Sequence, residues 1–166
     1  MKVSIIFPCY NESKNLPTLI KNLKEFPSTY DVEFILIENG STDNSRIFFK
    51  QLKDHRIRKV YIDKNQGYGH GIKTGIRVAN GDYIGWMHAD LQYNPLDLTH
   101  FINYLYKTNT GAPILLKGKR LNRSKLDRFF TANMSILDSI LFKTKMREIM
   151  SSPTIASRAL FINLKN

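Results

Sequence analysis

The sequence predicts an α/β fold, a mainly parallel sheet flanked by helices in a Rossmann-like arrangement. Short apolar, β-branched runs alternate with segments of helical spacing, which is the pattern of βαβ units. Each run stops at a polar or glycine-bearing stretch. No linker, repeat or biased tract divides the 166 residues, a length that suits one domain.

The first strand is Val3 to Phe7, an apolar run that Pro8 is expected to stop. The helix after it has Asn15 as N-cap and Pro17 in its first turn, carries Leu16, Leu19, Ile20 and Leu23 on one face, and closes at Pro27. Val32 to Ile37 is the second strand; it runs into Glu38-Asn-Gly-Ser-Thr-Asp-Asn-Ser45 and then a helix to about His55. Ile57 to Ile62 is the third strand, and Asp63 to Gly71 a glycine-bearing loop leading to a helix through Ile72, Ile76, Val78 and Ala79. The fourth strand, Tyr83 to Met87, ends in His88-Ala-Asp-Leu-Gln-Tyr-Asn-Pro95, where Asn94 and Pro95 open a helix to Lys107. Thr110 to Pro113 breaks that helix. Ile114 to Leu116 is a fifth strand, the basic segment after it a loop, and Phe129 to Phe142 a helix carrying Met134, Leu137 and Leu141.

Composition narrows the function. Hydrophobic residues at 42% and charged residues at 23% are ordinary for a globular chain. No apolar run reaches the ~18 residues of a membrane helix, and the first apolar stretch is too short for a secretory signal, so a cytoplasmic chain is expected. A single cysteine, Cys9, excludes an intrachain disulfide and a thiolate metal cluster. The net charge of +11 favours phosphates, nucleic acid or anionic lipid. Residues 1–83 carry 13 basic and 9 acidic side chains, residues 84–166 carry 12 and 5, and the excess gathers in Lys117 to Arg128. No helix-turn-helix, zinc-finger or aromatic ribonucleoprotein motif accompanies the charge, so a nucleic-acid partner is not expected.

In open parallel sheets ligands bind beyond the carboxyl ends of the strands. Four such ends are polar: Pro8 to Glu12, Glu38 to Asp43, Asp63 to Gly71 and His88 to Gln92. Together they can supply acceptors for a base and ribose, backbone N–H groups for phosphate, and a carboxylate for a metal. Gly69-His-Gly71 lacks a full dinucleotide fingerprint and a Walker lysine, which argues against dehydrogenase and P-loop readings.

Ser4-Ile-Ile-Phe-Pro-Cys-Tyr-Asn-Glu12, Glu38-Asn-Gly-Ser-Thr-Asp43, Asn65-Gln-Gly67, Ala79-Asn-Gly-Asp82 and His88-Ala-Asp-Leu-Gln92 stand in the order seen in family 2 glycosyltransferases. The sequence resembles the branch containing polyprenyl-phosphate (dolichol-phosphate) sugar transferases, over most of residues 3–96. Beyond Leu116 the likeness thins: Lys117-Gly-Lys-Arg120 resembles an acceptor-side element and Arg147 to Arg158 a late catalytic segment. The resemblance implies a glycosyltransferase A-type fold in a single catalytic domain, 1–166, with 1–116 binding a UDP- or GDP-linked sugar and 117–166 facing the acceptor. It also implies Mg²⁺ or Mn²⁺ on the diphosphate and inverting transfer to polyprenyl phosphate, or to a glycan or lipid hydroxyl, in envelope glycan synthesis.

Carried over residue by residue, Pro8, Tyr10, Asn11 and Glu12 fall in the first nucleotide-contacting motif, with Tyr10 offering a ring and Glu12 an acceptor. Glu38 and Asn39 occupy the family's Asp-Asp positions; Asn39 donates as well as accepts, so it reads the base differently from an aspartate. Asn65 lies in the third motif. Asp90 matches the metal-binding aspartate and Gln92 a polar residue that can complete the shell of a hard cation. His88 stands where most relatives have an aspartate: either it ligates the metal, shifting preference toward Mn²⁺, or it hydrogen-bonds the ribose or a neighbour. Arg120, with Arg123 and Arg128, offers guanidinium forks to a phosphate acceptor. Glu148 is the candidate base for a hydroxyl acceptor, whereas a phosphate nucleophile needs none. An anionic leaflet would attract the basic segment by ~1 kcal/mol per residue near the surface, so peripheral contact with the inner face of a membrane is expected. His88 in place of aspartate, and a chain that ends soon after Ile155 to Leu164, leave two alternatives open: a C-terminally truncated member, or a catalytically silent nucleotide-sugar-binding or scaffold module.

Overall fold

The computed structural model describes residues 1–108, 112–118 and 152–164. Its sheet has six strands in the order β3-β2-β1-β4-β6-β5. These are β1 (Val3–Cys9), β2 (Val32–Asn39), β3 (Ile57–Ile62), β4 (Tyr83–Trp86), β5 (Leu115–Lys117) and β6 (Thr154–Ser157). The first four pair in parallel, while β6 lies between β4 and β5 and runs antiparallel to both. Helices α1 (Leu16–Glu25), α2 (Ser45–Gln51), α3 (Tyr68–Val78) and α4 (Leu98–Lys107) join or follow the parallel strands.

The strand sequences explain the layering. Successive side chains point to opposite faces, so Val3, Ile5, Phe7 and Cys9 of β1 pack with Leu16, Leu19 and Leu23 of α1 and with Leu98, Ile102 and Leu105 of α4. Ile6 joins Ile35, Ile37, Ile76, Ile84 and Phe161 on the opposite face. Strands covered on both faces read as continuous apolar runs, and every residue of β1 is buried. At the sheet edge β3 exposes Arg58 and Tyr61, polar groups that discourage edge pairing.

Four features depart from the sequence expectations. First, β1 continues through Pro8 to Cys9. Alternate residues of a strand aim their backbone groups to the same side, so Pro8 shares the side on which the Ile6 carbonyl accepts the Met87 N–H at 3.0 Å. There β4 has already ended at Trp86, and the missing N–H of proline costs no ladder bond. Second, α2 stops at Gln51, short of His55, because Asp54 turns the chain by accepting the Arg56 N–H at 2.9 Å. Third, α3 starts at Tyr68, inside the segment expected to be loop. Fourth, β6 was not foreseen: Thr154–Ser157 is inserted beside β4 with Arg158 donating to the carbonyls of Gly81 and Ala79, each at 2.7 Å. The expected helix at 129–142 lies outside the described residues.

Candidate functional site

After β1 the chain turns at Asn11, whose φ of 56° lies in the left-handed region that asparagine tolerates. The Asn11 Oδ1 accepts hydrogen bonds from the Thr42 N–H at 2.9 Å, the Thr42 hydroxyl at 3.2 Å and the Asp43 N–H at 3.3 Å. In return the Asn11 N–H donates to Ser41 Oγ at 3.2 Å and the Glu12 N–H to Ser45 Oγ at 2.9 Å. The loops after β1 and β2 are therefore one hydrogen-bonded unit. Asn15 precedes α1 as expected but spends its amide on Glu12 Oε2, at 2.6 Å, making no side-chain cap.

Asp43 closes this unit, taking the Ser13 N–H at 3.1 Å and the Ser45 N–H at 2.9 Å. Desolvation pushes its carboxyl up, but hydrogen bonds from Ser45 and Ser13 outweigh that and hold it down at about 2, from an ordinary 3.8. The folded value lies below the unfolded one, so the stabilisation is complete above pH ~4 and is lost as pH falls toward ~2. Urea unfolding across that window should show the stability gap between wild type and Asp43→Asn shrinking with acidity; a constant gap would contradict the assignment.

At the end of β2, Glu38 and Asn39 are 0% and 2% exposed. Glu38 Oε1 accepts the Ser41 N–H at 2.7 Å, and its Oε2 faces Arg46 Nε at 3.6 Å. Arg46 also reaches Asp63 at 3.8 Å and lies over the Tyr61 ring, 5.5 Å from its centroid. Asn39 Nδ2 donates to the Gly67 carbonyl at 3.1 Å. The remaining oxygens, Glu38 Oε2 and Asn39 Oδ1, are buried and make no hydrogen bond. Glu38 Oε2 is partly compensated by the Arg46 charge, whereas an oxygen such as Asn39 Oδ1 costs of order 1–3 kcal/mol until a donor reaches it.

The loop before α3 is pressed against this strand end: a Cβ on Gly40 would lie 2.4 Å from the Asn65 backbone nitrogen. Asn65 Oδ1 in turn accepts the Gly67 N–H at 2.7 Å, which starts α3 early and puts Tyr68 in its first turn. The Tyr68 ring stacks on the His88 imidazole, with centroids 4.2 Å apart and planes 5° apart. Its hydroxyl is buried with no hydrogen-bond partner. Burial first, then the charge of Asp90 and Cys9, raises the Tyr68 phenol above its ordinary range, so it remains a protonated donor.

His88 follows β4, and its N–H points to Ser152 Oγ at 3.4 Å. Two residues on, Asp90 Oδ1 accepts the Gln92 N–H at 3.1 Å across a turn in which Leu91 has φ 59°. Gln92 and Tyr10 are exposed. Burial, then Glu12 and Glu38, pushes the Cys9 thiol well up, which makes it a packed side chain and not a nucleophile.

The contacts thus run in sequence from Asn11 and Glu12 to the loop of Ser41–Ser45, from Asn39 to Gly67, and from Tyr68 to His88. Pro8, Tyr10, Asn11, Glu12, Glu38, Asn39, Asn65, His88, Asp90 and Gln92 all sit at the carboxyl edge of the parallel strands. Arg120, Arg123, Arg128 and Glu148 lie outside the described residues. Tyr68 and Arg46 were not singled out from the sequence; an aromatic between Gly67 and Gly69 after a strand was the available signal for Tyr68.

Among the described residues no three His, Cys, Asp or Glu side chains form a metal-holding group. A nucleotide-bound divalent cation does not require one. It commonly takes one or two protein ligands plus phosphate oxygens and water, and a carboxylate with an imidazole two residues away, His88 and Asp90, is a donor set that fits Mn²⁺.

Comparison with known proteins identifies the family and the fold. The sequence pattern of "Glycosyl transferase family 2" matches residues 4–162. An undecaprenyl-phosphate 4-deoxy-4-formamido-L-arabinose transferase of Proteus mirabilis is 32% identical over 108 residues, covering 61% of this chain and 32% of its own. The protein of the same name from Photorhabdus laumondii is 29% identical over 156 residues, covering 89% and 46%. The chain thus spans a third to a half of the length of these curated relatives. Among solved structures, the Pyrobaculum calidifontis mannosyltransferase PcManGT in complex with GDP-Man and Mn²⁺ superposes with a TM-score of 0.67 at 19% identity, covering 98% of this chain and 46% of that one. Glucosyl-3-phosphoglycerate synthase from Mycobacterium tuberculosis, in complex with Mn²⁺, UDP and glucosyl-3-phosphoglycerate, gives 0.68 at 21% identity, covering 96% and 58%. The fold is the glycosyltransferase A type.

Proposed function

The chain belongs to glycosyl transferase family 2, and on that premise we propose that its strand-end crevice binds a UDP- or GDP-linked sugar for inverting transfer to polyprenyl phosphate. The observation that carries this reading is that two buried acceptor oxygens without a hydrogen bond, Glu38 Oε2, which faces Arg46, and Asn39 Oδ1, share one sheet edge with the His88 and Asp90 pair. The names of the curated relatives support the acceptor class, and the nucleotides in the two solved complexes support the donor class.

In this reading Pro8, Tyr10, Asn11, Glu12 and Asn65 shape the nucleoside site, and the oxygens of Glu38 and Asn39 that make no hydrogen bond accept from N–H or O–H groups of base and ribose. Asp90, His88 and Gln92 would hold Mn²⁺ or Mg²⁺, which when bound screens the diphosphate and stabilises the departing nucleoside diphosphate. A phosphate oxygen of the acceptor attacks the anomeric carbon, the bond from that carbon to the diphosphate oxygen breaks, and its electron pair leaves with the nucleotide. Arg120 pairs with the acceptor phosphate; for a hydroxyl acceptor Glu148 takes the proton. Residues 1–116 serve the donor and 117–166 the acceptor. No helix among the described residues is long and apolar enough to cross a membrane. We assign the basic segment to peripheral contact with the anionic inner face of a membrane, where a lipid-linked acceptor would be met.

The test is a transfer assay with labelled UDP- and GDP-sugars, Mn²⁺, and either undecaprenyl phosphate or a glycan hydroxyl. Label entering the lipid phase with one nucleotide sugar is the expected result. Nucleotide binding without product for either acceptor would instead favour the silent-module alternative.

A further inference from the structure

The hydroxyl of Tyr68 is a buried donor without a hydrogen-bond partner, carried on a ring that stacks against His88, one of the side chains assigned to the cation. Its ring covers one face of the His88 imidazole. A stack of this kind contacts the face of the imidazole and leaves the ring nitrogens, which lie in the ring plane, unused. It therefore fixes the orientation of a ligand without competing for its donor atoms, a task that partners outside the metal shell commonly perform. The Asp90 carboxylate is near enough to act on the phenol electrostatically, yet no hydrogen bond joins them. Asp90 Oδ1 is already engaged by the Gln92 N–H. An O–H donor kept from water needs an acceptor, and the diphosphate of a bound donor would supply anionic oxygens.

We propose that Tyr68 is a further residue of the donor site with two separable tasks. Its ring holds the plane of the His88 imidazole, and its hydroxyl donates a hydrogen bond to an anionic oxygen of the donor diphosphate. The proposal rests on the donor-site reading above.

Two variants separate the tasks. Tyr68→Phe keeps the ring and removes only the hydroxyl; Tyr68→Leu removes both. Calorimetric titration with UDP and GDP, with Mn²⁺ and with EDTA, is compared with NMR titration of the matching nucleoside, and thermal unfolding checks that each variant is folded. For Tyr68→Phe the diphosphate affinity should fall by at least about fivefold with Mn²⁺ while nucleoside affinity is unchanged, since bonds to charged acceptors are the stronger class. For Tyr68→Leu the enhancement of binding by Mn²⁺ should drop further. Wild-type diphosphate affinity in Tyr68→Phe overturns the hydroxyl's role, and so does an equal loss for the nucleoside, which would place the bond on the ribose or base. An equal Mn²⁺ enhancement in the two variants overturns the ring's role. If wild type binds neither nucleotide, the donor-site reading itself fails and takes this proposal with it.

Discussion

Asp90→Ala should lower sugar transfer by ~10²–10³-fold while leaving the protein folded. If Asp90 holds the cation as proposed, losing its carboxylate removes charge stabilisation worth several kcal/mol in the transition state, and each ~1.4 kcal/mol is a factor of ten. The fold should tolerate the change because Asp90 Oδ1 accepts a local, exposed hydrogen bond, from the Gln92 N–H two residues on at 3.1 Å. The companion variant His88→Asp should retain transfer and shift its preference from Mn²⁺ toward Mg²⁺, because it replaces an imidazole with an oxygen ligand. Steady-state rates with each cation, alongside melting curves, test both. An Asp90→Ala enzyme with wild-type rates would remove the cation role from this side chain.

Gly40→Ala should produce the largest loss of stability from a single added methyl group. Gly40 has φ +68°, and a Cβ there would sit 2.4 Å from the Asn65 nitrogen and 2.7 Å from the Lys64 carbonyl carbon, both backbone atoms. The left-handed conformation costs ~1–2 kcal/mol for an L side chain, and the clash can be relieved only by moving a loop. The sum is ~2–4 kcal/mol, or about 5–15 °C in melting temperature for a domain of this size. Gly67→Ala is the control: its φ is +90° but nothing lies within 4 Å of the added carbon, so it should show the conformational cost alone. Equal melting temperatures for the two variants would mean that the contact between the loops after β2 and β3 is not rigid.

The two central strands, β1 and β2, were legible because a strand buried on both faces reads as a nearly continuous apolar run, as in Val3-Ser-Ile-Ile-Phe7 and Phe34-Ile-Leu-Ile37. The polar ends of those strands were legible for the same reason, since Glu38 and Asn39 are abrupt changes of character at the end of such a run. The start of α3 was not. Gly67, Gly69 and Gly71 argue locally for a loop, and Tyr68 is helical because the Asn65 side chain takes the Gly67 N–H in a local turn and, across the fold, the Asn39 amide donates to the Gly67 carbonyl. The role of Tyr68 was hidden with it, because its stack on His88 exists only once α3 and the end of β4 are neighbours. Pro8 misled by its usual meaning as a strand breaker, and β6 is a four-residue insertion whose place is set by pairing with β4 and β5, far away in sequence.

In the proposed function, this sheet edge holds a nucleoside diphosphate through a cation at Asp90. The most direct test is calorimetric titration of wild type and Asp90→Ala with UDP and GDP, each with Mn²⁺ and with EDTA. One nucleotide should bind wild type with Mn²⁺, EDTA should weaken that binding sharply, and Asp90→Ala with Mn²⁺ should behave like wild type in EDTA. Binding that is indifferent to both EDTA and the substitution would contradict it.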